Sequence, residues 1–95
     1  MKALPPDVVA YKRTPIFTQE TVPAALLKHH TTKDGSWGKI KVISGQLEYQ
    51  ILLDPPEEYR LTLELPGIVE PQVPHQVHPL GPVEFYVEFY RVEEQ

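Results

Sequence analysis

The stretch Gly67-Ile68-Val69-Glu70-Pro71-Gln72-Val73-Pro74-His75-Gln76-Val77 admits few backbones. Pro66-Gly67 just before it is a turn signal, and Ile68, Val69, Val73 and Val77 are strand formers. Pro71 and Pro74 each lack an amide hydrogen and fix φ, which excludes a helix and places them at corners or strand starts. The segment therefore reads as a turn leading into a proline-punctuated strand that ends on a histidine flanked by apolar residues.

On either side of this stretch the chain repeats one pattern. Val83, Phe85, Val87 and Phe89 alternate with Glu84, Tyr86, Glu88 and Tyr90, the period of a strand with one buried face. Tyr59, Leu61, Leu63 and Leu65 alternate likewise with Arg60, Thr62 and Glu64, which predicts a strand running to Pro66-Gly67. Trp37 to Ile43 and Gln46 to Leu52 read as two strands joined by a tight hairpin at Ser44-Gly45, since glycine permits positive φ. Asp54-Pro55-Pro56 makes the next connection, and short strands are expected at Val8 to Lys12 and Ala24 to His30. Short strands punctuated by turns predict an all-β, mainly antiparallel sandwich or barrel with no helix of normal length. A chain of 95 residues allows one domain, expected to span 1–95 with an ordered core of about 8–92. Met1 to Pro6 and the acidic tail Glu93-Glu94-Gln95 are expected to fray.

Composition narrows the function classes. A net charge of -4 and lysines and arginines dispersed along the chain give no pull toward nucleic acid or anionic lipid. No run approaches the roughly 20 apolar residues of a membrane span, and no signal-like apolar segment follows Met1, so a cytoplasmic location is expected. Zero cysteines exclude disulfides, thiolate metal sites and a cysteine nucleophile. No glycine-rich phosphate loop, nucleophile elbow or His-Glu-x-x-His pair is present.

A second landmark is His29-His30-Thr31-Thr32-Lys33-Asp34-Gly35-Ser36-Trp37-Gly38-Lys39-Ile40, followed by Gly45. With Lys12-Arg13-Thr14-Pro15-Ile16-Phe17, Val22-Pro23 and Val69-Glu70-Pro71-Gln72 before His75, the chain from about Tyr11 to Arg91 resembles the TehB/YeaR-like cupins. These small cupins stand alone or precede a methyltransferase in tellurite-resistance proteins. The resemblance implies a cupin-like jelly roll acting in a bacterial response to tellurite, other toxic oxyanions or nitrosative stress. Metal-binding cupins carry His-x-His and a glutamate in the first motif and a histidine in the second. Here Thr32 and Asp34 stand at the first two positions and Gly38 at the glutamate, so His75 alone matches directly.

The candidate ligand pocket comprises His30, Trp37, Tyr49, Glu70 and His75, set against ordinary readings as core aromatics, an edge acid and hydrogen-bonded histidines. Adjacent His29 and His30 leave opposite faces of a strand, and the resemblance favours His30 as the inward one. His30 and His75 with Glu70 would suit a divalent transition metal, zinc, iron, nickel or copper. The leading expectation is a module that binds a small molecule or anion in the barrel. The rivals are a metal-dependent enzyme and a non-catalytic interaction module. Tyr86 and Tyr90 on the polar face of the last strand predict a homodimer contact.

Overall fold

Two long strands carry most of the architecture. The computed structural model describes residues 1–93; Glu94 and Gln95 of the acidic tail lie outside the described residues. Its strands are β1 (Val8–Arg13), β2 (Phe17–Thr18), β3 (Trp37–Ile51), β4 (Glu57–Leu61), β5 (Gly67–Val69) and β6 (His75–Val92), with a 3-10 turn at Ala24–Leu27. All pairings are antiparallel, in the order β1-β6-β3-β4, with β2 added to β6 and β5 to β3. The sheet folds over on itself as a small sandwich and does not close into a barrel, so the barrel alternative is set aside. No helix among the described residues is long and apolar enough to cross a membrane.

The hairpin expected at Ser44-Gly45 is absent. β3 runs straight through it, because both of its halves pair with β6, from Trp37 opposite Tyr90 to Ile51 opposite His75. Gly45 does take positive φ, at 79°, but it serves a bulge and not a reversal. Val42 lies opposite Phe85 while Ser44 lies opposite Glu84, so Ile43 is an extra residue on β3. That single insertion switches the inward set from even to odd numbers. Ile40 and Val42 before the bulge and Leu47, Tyr49 and Ile51 after it all join one core. On β6 two extra residues between Pro79 and Val83 leave the parity unchanged, and Val77, Val83, Phe85 and Val87 share that core.

Two other expected strands end differently. The Tyr59 alternation stops at Leu61, because Thr62 and Leu65 exchange backbone hydrogen bonds in a tight turn that leaves Leu63 71% exposed. Of the strand expected at Ala24 to His30, Ala24–Leu27 forms the 3-10 turn after Pro23, and only His30 bridges to the sheet. The N-terminal residues, expected to fray, lie against the sheet, with Lys2 paired to Glu70 at 3.0 Å.

At Gly45 a Cβ would lie 2.1 Å from the Pro82 carbonyl oxygen, whereas at Gly81, φ 93°, it would meet nothing within 4 Å. Both substitutions incur left-handed strain of about 1–2 kcal/mol, and Gly45→Ala adds a backbone clash costing about 1–3 kcal/mol more. Urea unfolding of the two alanine variants is expected to show Gly45→Ala as clearly the less stable.

Candidate functional site

The folded sheet encloses a cavity of about 250 Å³ between its two halves. The odd residues of β6, among them Val77, Phe85 and Val87, form its floor, as strand alternation dictates. Phe17 of β2 packs edge-on against Phe85, with ring centroids 5.7 Å apart. Leu26 of the 3-10 turn covers part of the side that no strand closes. The polar residues on the lining are Lys12, Thr14, His30, Thr32 and His75. Thr14 is already committed, since its hydroxyl accepts from the Val87 amide at 3.0 Å.

His30 and His75 meet in this lining. Their backbones exchange two hydrogen bonds, His30 N–H to the His75 carbonyl at 2.7 Å and His75 N–H to the His30 carbonyl at 2.8 Å. Their rings stand edge-to-face with centroids 5.3 Å apart. His75 is 4% exposed, and its Nδ1 lies 3.2 Å from the Val73 carbonyl, where a protonated Nδ1 donates. Burial lowers the His75 pKa, the Val73 hydrogen bond opposes this, and the neighbouring His30 lowers it further. His30 Nδ1 is buried with no hydrogen-bond partner among the described residues. An unpaired buried nitrogen costs free energy, so it marks a place where a ligand atom would be favoured.

The remaining candidates are dispersed. Tyr49 is buried behind His75, ring centroids 6.0 Å apart, and its hydroxyl donates to the Ile68 carbonyl at 2.8 Å. Burial raises its pKa, with the Glu70 charge acting the same way, so it is a neutral donor. Glu70 follows Val69 on the chain; Val69 lines the cavity, whereas Ile68 and Glu70 border a separate hollow with Tyr49. Trp37 alternates with the buried Gly38 and Ile40 and lies opposite Tyr90, on the outer face of the sheet. His29 takes φ 45° and is exposed, so a left-handed turn and not strand alternation separates it from His30.

The three-residue metal set is therefore not assembled. Glu70 is held by Lys2, and no group of three or more His, Cys, Asp or Glu converges among the described residues. At Gly38, where the resemblance implies a glutamate, a Cβ would lie 3.2 Å from the Val69 Cβ and 3.7 Å from Val87 Cγ1. Thr32 is buried and donates its hydroxyl to the Ser36 carbonyl at 2.8 Å, while Asp34 is exposed. The donor set does not fit a resident transition metal.

Sequence reasoning missed Lys12 as a cavity residue. Ala10 lies opposite Tyr90 and Lys12 opposite Phe89, so a bulge at Tyr11 turns Lys12 onto the inner face. Its one sequence signal was membership of the stretch Lys12 to Phe17 that carries the family resemblance.

Comparison with known proteins matches residues 12–87 to the TehB-like domain model. The chain belongs to the TehB-like family. This TehB-like chain is 34% identical over 80 residues to the probable S-adenosyl-L-methionine-dependent methyltransferase TehB of Haemophilus influenzae strain Rd, and equally to that of strain 10810. The match takes in 79% of this chain but spans only 28% of the length of each of those relatives. The crystal structure of H. influenzae TehB superposes with a TM-score of 0.82 at 32% identity, covering 92% of this chain and 32% of that one. A protein from E. coli strain K12 superposes over 99% of this chain and 100% of its own, with a TM-score of 0.88. At 19% identity it shares the fold alone.

The lowered His75 pKa makes stability depend on pH. The unfolded chain takes up a proton near the ordinary value of about 6.5, whereas the folded state resists protonation until lower pH. Stability contributed by neutral His75 is thus present above that range and lost as pH falls from it through the folded pKa. The urea midpoint is expected to drop between about pH 7.5 and pH 5, and His75→Asn to reduce that drop, as read by tryptophan fluorescence.

Proposed function

We propose that this TehB-like domain is a small-ligand-binding module acting in the cytoplasm in a stress response of the tellurite-resistance kind. The observation that supports this most directly is the apolar cavity with the unpaired His30 nitrogen at its edge. A concave, mostly apolar space with a few converging polar groups is the usual form of a small-molecule site. For scale, an engineered apolar cavity of about 150 Å³ takes up benzene. The space here suits a molecule of about that size or somewhat larger.

The relatives' name adds methyl transfer, but this chain spans a minor part of their length. We assign the domain a role in holding a small molecule and leave methyl transfer to the longer proteins. Titration of labelled protein with small aromatic and aliphatic probes is expected to shift the amide resonances of Val77, Phe85 and Val87 while leaving Leu63 unchanged. Val77→Trp, which fills the cavity, is expected to abolish those shifts. Shifts confined to the outer surface would reject the cavity as the site.

A homodimer is proposed beside this reading. Ile43 and Leu63, both exposed, border an outer hollow with Pro66 and Tyr86, an apolar strip rimmed by Lys39, Lys41 and Thr62. Sedimentation analysis is expected to give twice the chain mass, and Leu63→Glu to return it to monomer; a monomer at high concentration rejects the dimer.

A further inference from the structure

Outside the cavity mouth lies a second hollow, about 280 Å³, bordered by Tyr11, Thr31, Lys33 and Ser36. Lys12, His30, Thr32 and Phe89 line both spaces, so the two meet at these residues. The outer hollow carries Lys12 and Lys33 and no carboxylate. Neither lysine is in any of the ion pairs found among the described residues. Their ammonium groups instead lie 5.9 Å from the ring centres of Phe89 and Tyr11 respectively. The Arg91 guanidinium also lies over the Tyr11 ring, 4.6 Å from its centre, which adds positive potential beside the hollow. The nearest acid in sequence, Asp34, borders an adjoining depression that shares Tyr11, Lys33 and Ser36 with this hollow and also carries Arg91. In a chain of net charge -4, a carboxylate-free mouth with two unpaired lysines is a local reversal of sign.

Hydrogen-bonding capacity points the same way. Tyr11 Oη and Ser36 Oγ are 2.7 Å apart, so one hydroxyl donates to the other and the second hydroxyl hydrogen is left to donate elsewhere. Resting on the reading of the cavity as a ligand site, the geometry points to a specific ligand class: a small amphiphilic monoanion. Its carboxylate or similar oxyanion lies between Lys12 and Lys33, and its apolar body enters the cavity past His30. The lysines supply charge-assisted donors, the Tyr11–Ser36 pair a neutral one, and Leu26, Phe85 and Val87 the apolar enclosure. An inorganic oxyanion alone would fill the outer hollow and leave the cavity unused.

The test compares phenylacetate with 2-phenylethanol, which share a ring and differ in the head group, by calorimetry at low ionic strength. Phenylacetate is expected to bind at least about tenfold more tightly, with the preference falling as salt is raised. Lys12→Met is expected to weaken phenylacetate at least about tenfold more than 2-phenylethanol, whose continued binding also shows that the variant is folded. Should Lys12→Met fail to fold, Lys33→Met on the exposed loop carries the same expectation. Equal affinities for the two probes, or equal loss of both in the lysine variants, would overturn the anionic head assignment and leave the cavity as a neutral-ligand site. Acetate or tellurite binding as tightly as phenylacetate would overturn the amphiphile. Binding of neither phenyl compound would overturn this inference together with the cavity reading.

Discussion

The close approach of Gly45 to the Pro82 carbonyl holds the two halves of the molecule in relation. β3 and β6 stay paired from end to end, so they bend together, and the bend can be tight only where one strand presents no side chain to the other. Everything inside follows from that. The bulge at Ile43 changes the parity of β3, which brings Ile40 and Val42 into the same core as Leu47 and Tyr49. The space between the halves is the cavity.

The alternation of β6 was legible because charged and aromatic residues flank a strict series from Val83 to Phe89, and no bulge interrupts it. The same reading failed at Ser44-Gly45. Positive φ at glycine serves hairpins and bulges alike, and only pairing with a distant strand distinguishes them. It failed at Leu63 because apolar alternation continues through a turn whose geometry depends on Thr62 and Leu65 bonding to each other. His30 and His75 were foreseen as neighbours, and the structure sets them in one lining, although His30 arrives by an isolated bridge and not by a strand. Glu70 was misplaced by one step of alternation, since its neighbour Val69 takes the inward position. Lys12 was hidden by the bulge in β1, a shift of one residue that composition does not record.

Polarity is distributed unevenly around the cavity. Most of its lining is aromatic and aliphatic, and three of its five polar residues, Lys12, His30 and Thr32, also border the outer hollow. At Gly38 an added Cβ would lie 3.2 Å from the Val69 Cβ and 3.7 Å from Val87 Cγ1, so a side chain there would crowd Val69, and the wall at this point is apolar.

The bridge between His30 and His75 has a dynamic consequence. The long ladder between β3 and β6 opens only with the whole sheet, whereas the segment carrying His30 and Thr32 is tied to its neighbours by two backbone bonds at His75, one from the Gln72 amide to the Thr32 carbonyl at 3.1 Å, and two longer bonds of 3.4 Å, from the His29 amide to Gln76 Oε1 and from the Thr32 hydroxyl to the Glu70 carbonyl. At about 1 kcal/mol net per hydrogen bond, releasing this rim costs far less than global unfolding. The rim is held by fewer backbone bonds than the sheet it borders and is expected to open locally while the sheet stays intact.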